Sequence, residues 1–293
     1  MKGIGSRLAS LLGMACVAAG PAVAVAETAV REYVSVPVDL SRAVDQNRVP
    51  PESCVPAAIV NALALGNPAM RAAYDGLRGD SPGGKLKEFI AAHGRRASED
   101  YGGDRPRWDP EEGRAALPDG RDMFGDALES AGAGTAAGDY LDRKPDESPG
   151  DLLVRVHRVL ADSLARGAPV VVSLRSFSPY WDEEKAQILW GGVENHCVTV
   201  TAVPESLRPH EKGFDFAYVD PDGPKTAGGY IYLEEVRPFA AARGNDVKYE
   251  WLGGPCPFLL VRAPGLSLGM GEKSWYWRTI VTLNYAMWFV ERP

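Results

Sequence analysis

The chain has 293 residues, 45% of them apolar and 24% charged, and a formal net charge of −7. A chain of this length and composition buries a core without disulfides or metals to hold it. The acidic balance excludes the basic footprint that nucleic-acid binding requires, and it opposes binding to an anionic membrane surface.

Residues 1–26 read as a secretory signal peptide. Lys2 and Arg7 give a positive start, Leu8 to Ala19 is a short apolar run, and Ala24-Val25-Ala26 is a small-x-small cleavage signal. The run is too short to span a membrane. The expected mature protein is therefore exported, periplasmic or secreted, with no membrane span. It is expected to be a single domain over residues 27–293, and its oligomeric state is not legible. Cys54, Cys197 and Cys256 remain after cleavage, an odd count that leaves a thiol unpaired within one chain.

Residues 29–38 alternate apolar and polar and predict an entry strand. A polar loop follows from Ser41 to Ser53. Pro56 suits the first turn of a helix, Ala57 to Leu65 is apolar and helix-favouring, and Gly66 with Pro68 ends it. This predicts a buried helix starting beside Cys54. Residues 67–150 are dense in Gly, Pro, Asp and Arg. They read as a loop-rich insertion with short helices near Gly84–His93 and Arg121–Ala131.

Regular structure resumes with Leu152, Val156, Val159, Leu160 and Leu164 at helical spacing, capped at Gly167. APVVVSLRSF predicts a strand covered on both faces. HCVTVTAV, FDFAYVDPDG, YIYLEEV, PFLLVRAP and TIVTLNYAMWFV predict further strands. The order of a helix followed by mostly adjacent strands implies an α+β fold. In the aromatic-rich tail, Trp275 and Trp277 read as core or sheet edge.

Three residues stand where thiol chemistry needs them. Cys54 opens a helix, whose free N–H groups and dipole stabilise a thiolate and an oxyanion. His196 begins an apolar strand and can project into a cleft, unlike His93 and His157 on helix-like segments or His210 in a charged loop. Asp220 ends the next strand and can orient the imidazole. Each has a plainer reading: a structural cysteine, a hydrogen-bonded core histidine, a turn aspartate. Strand alternation places Cys197 on the face opposite His196, buried in the core. No metal-ligand spacing and no phosphate-cradling loop appears, so neither metal nor cofactor is expected.

Taken together, these motifs resemble the papain-like cysteine peptidases, closest to the branch of bacterial double-glycine leader peptidases. The likeness lies in Cys54-Val55-Pro56-Ala57-Ala58, in Arg166-Gly167-Ala168-Pro169-Val170-Val171-Val172, in a loop up to Trp190, in His196-Cys197-Val198-Thr199-Val200 and in Val219-Asp220-Pro221. It covers about half of the mature chain. The resemblance implies a papain-like fold, with the nucleophile helix packed on an antiparallel sheet, acting on a peptide or protein substrate. It implies Cys54 as nucleophile, His196 as general base and acid, and Asp220 as orienter. The family's glycine after the cysteine is Val55 here. Its oxyanion glutamine falls at Arg48, and Gln46 is the nearest glutamine. The expected activity is hydrolysis or transfer at an amide bond through a thioester. The alternative is an inactive module of the same kind that binds a peptide or partner protein.

Overall fold

The computed structural model describes residues 31–49, 53–111, 114–184, 186–233, 258–266, 268 and 279–292. The expected signal peptide, Cys256, Trp275 and Trp277 lie outside the described residues. Strand β1 is Tyr33–Ser35, and a 3-10 turn over Gln46–Arg48 leads to helix α1, Cys54–Leu65. From Val55 to Leu65 every residue of α1 is buried. That suits its nearly continuous apolar run, which predicts a helix enclosed on all sides.

Residues 67–150 hold more regular structure than their composition suggests. Helix α2 (Pro68–Gly76) is capped by the Asn67 side chain, and α3 (Pro82–Phe89) by Ser81, each with proline in the first turn. A π-helical turn, Ile90–Gly94, extends α3. A small ribbon of β2 (Trp108–Asp109) and β3 (Arg114–Ala115) precedes α4 (Leu117–Ser130) and β4 (Thr135–Tyr140). Helix α5, Pro149–Ala165, starts in a reciprocal capping box between Ser148 and Asp151. It ends before Gly167, whose φ of +70° is the left-handed conformation glycine adopts without strain.

The remaining strands are β5 (Val170–Asp182), β6 (Gln187–Pro204), β7 (Gly213–Asp220), β8 (Lys225–Tyr232), β9 (Leu260–Arg262) and β10 (Ile280–Val290). Trp190, read as part of a loop, lies within β6, in a long hairpin with β5 that runs to Asp182↔Gln187.

The papain-like architecture of a helix packed on a sheet is not what forms. Strands β6, β5, β10, β9, β8 and β7 pair antiparallel in that order, and β7 returns to β6, so the six close into a barrel. Strands β1 and β4 attach outside the ring, to β6 and β10. Closure depends on β10, which pairs with β5 on one side (Leu283↔Leu174) and β9 on the other (Thr282↔Leu260). A barrel has no open edge, which removes the exposed N–H and C=O groups of an edge strand.

Two large cores result. One takes residues from all six barrel strands, among them Val172, Val198, Phe216, Ile231, Val261 and Leu283, together with Leu152, Val156 and Leu160 of α5. The other takes α1 to α4 and the alternate residues of the same strands, Val171, Cys197, Tyr285 and Met287. Helix α1 therefore lies on the outer face of the barrel. No helix among the described residues is long and apolar enough to cross a membrane.

The segment before α1 is pinned by one buried side chain. Asn61 is fully buried, and its Oδ1 accepts a 2.6 Å hydrogen bond from the Val44 backbone N–H. Asn61→Ala leaves that N–H buried and unpaired, an expected loss of about 2 kcal/mol. Urea unfolding followed by circular dichroism measures it.

Candidate active site

Cys54 is the first residue of α1 and is partly exposed. Ser53 occupies the cap position without capping the helix: its hydroxyl donates instead to the carbonyls of Gln46 (3.1 Å) and Val49 (3.0 Å). The first N–H groups of a helix have no intrahelical partner. The Ser53 hydroxyl does not take them either, so they remain available beside Cys54.

Val55, where the resembled family has glycine, is buried against α4. A Cβ added at Gly120 would sit 2.9 Å from Val55 Cγ1. Gly120 on the facing helix thus leaves room for the Val55 side chain.

His196 lies past the end of the β6–β7 ladder, which begins at Thr199↔Val219. At that rim its ring is 8% exposed and its Nε2 meets Asp220 Oδ1 at 2.8 Å. Nε2 is thereby occupied, which leaves Nδ1 as the ring nitrogen able to serve Cys54. Burial favours the neutral imidazole, but the hydrogen bonds to Asp220 and Cys54, and the charges on both, raise the pKa to about 10.

Asp220 is buried and has three partners. Besides His196, its Oδ1 accepts from the Asp222 backbone N–H at 3.0 Å, and Lys225 Nζ stands 3.4 Å from Oδ2. Burial would favour the neutral acid, yet these partners hold the carboxyl below its ordinary range. The Asp220↔Lys225 register across the tight β7–β8 turn brings the lysine there.

The Cys54 thiol is shifted well below an ordinary thiol. A hydrogen bond with Cys197 is the leading cause, burial opposes it, and His196 adds a hydrogen bond and a positive charge. Cys197 moves upward, first through that hydrogen bond and then through burial, so it stays protonated and donates to the Cys54 sulfur. Cys197 is buried as alternation predicts, but it faces α1 and meets Cys54 instead of filling an inert core position. Both thiols are free.

Gln46 is tied on both sides. Its backbone N–H donates to the Pro221 carbonyl (2.9 Å), and its own carbonyl accepts from Ser53. Asn47 Nδ2 donates to Asp222 Oδ1 at 2.8 Å. The turn bearing Gln46 thus bridges the start of α1 and the turn after Asp220. The Gln46 side-chain oxygen is buried without a partner among the described residues.

The structure brings Cys54, His196 and Asp220 together: His196 is hydrogen-bonded to Asp220 and shifts with the Cys54 thiol, and Gln46 lies on the turn that bridges the start of α1 and the turn after Asp220. Sequence reasoning missed Lys225, Ser53 and the role of Cys197. Of these only Lys225 had a usable signal, since the short turn Pro221-Asp222-Gly223-Pro224 places Asp220 and Lys225, which flank it, opposite each other. His93 is buried in the π-helical turn, and His157 bonds the Pro204 carbonyl at 2.8 Å. Among the described residues no group of His, Cys, Asp and Glu could hold a metal. No family model and no curated protein matches the chain.

Proposed function

We propose that the protein is an exported thiol hydrolase or acyltransferase that opens a peptide or amide bond through a thioester on Cys54. The observation that carries this reading is the chain Cys54–His196–Asp220, with a lowered thiol at a helix start and an imidazole raised to about 10. A thiolate facing an imidazolium needs no base to attack a carbonyl carbon. The developing oxyanion falls to the free N–H groups at the start of α1, with the Gln46 amide as the side-chain donor.

His196 then gives its Nδ1 proton to the leaving amine. It next takes a proton from the water, or from the second amine, that opens the thioester. Asp220 stabilises the imidazolium and fixes the ring through Nε2. Substrate selection falls to the surface that α2 to α4 add beside Cys54.

Exposure to p-nitrophenyl acetate tests the reading. The expected result is a burst of released p-nitrophenol at mildly acidic pH, with the acetyl group mapped to Cys54 by peptide mass spectrometry. No burst and no acetyl on Cys54 would sink it. In that case the constellation serves a module that binds a peptide or partner protein without chemistry.

A further inference from the structure

Cys197 has no place in the acyl-transfer steps, yet the fold brings it to the nucleophile. Thr199 fixes the register between β6 and α1: its Oγ1 donates to the Ala58 carbonyl at 2.8 Å. Four residues back along the helix from Ala58, on the same face and about 6 Å away, is Cys54. Two residues back along the strand from Thr199, also on the same face and about 6.6 Å away, is Cys197. Each cysteine thus lies within about 7 Å along its element of one anchored contact, the two thiols act on each other, and both belong to the α1-facing core.

We propose that Cys54 and Cys197 form a reversible disulfide, with Cys54 the sulfur that meets a hydroperoxide and Cys197 the resolving thiol. The regulatory meaning rests on the thiol function proposed above. The cross-link itself does not, because it is read without turnover. Cys54 is partly exposed and Cys197 is 2% exposed, so an oxidant reaches the first before the second.

The Cys54 thiolate attacks one peroxide oxygen. The O–O bond breaks, the sulfur becomes a sulfenic acid, and the other oxygen leaves as water or alcohol after taking a proton. Cys197 sulfur then attacks Cys54 sulfur, the S–O bond breaks, and the released hydroxide takes the Cys197 proton as water. The two sulfurs together lose two electrons, and the peroxide gains them. Oxidation of Cys54 also removes the negative charge beside Cys197, one of the causes that keep it protonated. The first step therefore prepares the second. A disulfide here removes the nucleophile and protects it from irreversible over-oxidation.

The test uses the whole protein, treated with a few equivalents of hydrogen peroxide, enough for a second oxidation of the same sulfur, then denatured, alkylated and mapped by non-reducing peptide mass spectrometry. The expected result is a Cys54–Cys197 peptide pair, both residues lost together from the alkylated pool and both restored by dithiothreitol. In Cys197→Ser and Cys197→Ala the pair is absent and Cys54 proceeds to sulfinic acid. Sulfinic acid on Cys54 in the unaltered protein with Cys197 still alkylated, or a Cys54–Cys256 pair, would overturn the disulfide while leaving the proposed function standing. Both thiols untouched by peroxide would overturn the disulfide and also remove the reactive thiolate on which that function depends.

Discussion

Replacing His196 with alanine is expected to slow iodoacetamide alkylation of Cys54 at about pH 5.5 by roughly 10²-fold. Near its ordinary pKa a thiol is only about one part in 10³ ionised at that pH. The lower intrinsic nucleophilicity of a low-pKa thiolate takes back part of the difference. Cys197 supplies the leading hydrogen bond to Cys54, but an S–H is a weak donor and carries no charge. Against the burial that opposes ionisation, the imidazolium should decide the outcome.

The pH profile separates this effect from damage to the fold. In the unaltered protein the thiolate is lost as pH falls through its lowered pKa, and the imidazolium is lost as pH rises through about 10. Reactivity of the pair thus spans a wide plateau. Without His196 the profile should collapse to a single rise near the ordinary thiol range, and labelling at alkaline pH should recover. Fast labelling of His196→Ala at about pH 5.5 would remove the ion pair from the mechanism and leave Cys197 as the group that sustains the thiolate.

The parts of this site that were legible in the sequence are those written in local pattern. Pro56 followed by an unbroken apolar run marks a buried helix with Cys54 at its start. YVDPDG marks a strand end with Asp220 in the last paired position, and alternation beginning at His196 marks the next strand. Barrel closure is different in kind. It depends on β10 meeting β5 more than a hundred residues away in the chain (Leu283↔Leu174), and no pattern within either strand specifies that partner.

Strand alternation predicts the burial of Cys197 but not what it meets there. Period two gives the face on which a side chain leaves its strand and not the element that faces it: His196 at the rim and Cys197 in the core both act on the Cys54 thiol, because α1 begins at that rim. Composition misled over residues 67–150. The helices expected near Gly84–His93 and Arg121–Ala131 are there as α3 and α4, opened by Pro82 and Pro118, but α2, opened by Pro68 and capped by Asn67, forms where the composition reads as loop.

Asp220→Ala is expected to lower the rate of Cys54 acylation by p-nitrophenyl acetate by about 10⁴-fold, the scale on which removing a triad's acid acts elsewhere. The loss has two sources that a second substitution separates. Asp220 Oδ1 holds the Nε2–H of His196 and so directs Nδ1 to the sulfur; its negative charge stabilises the imidazolium. Asp220→Asn keeps an oxygen for the Nε2–H and removes only the charge.

The asparagine protein should therefore recover most of the rate near neutral pH while its alkaline limb moves down from about 10, because the imidazolium loses its proton sooner. In the alanine protein both the rate and the limb fall. Lys225, half exposed at 3.4 Å from Oδ2, loses its partner in either variant and can turn to solvent, so neither leaves a buried unpaired cation. An alkaline limb unmoved in Asp220→Asn would show that the carboxylate charge does not hold the proton on His196. The role of Asp220 would then be reduced to fixing the ring.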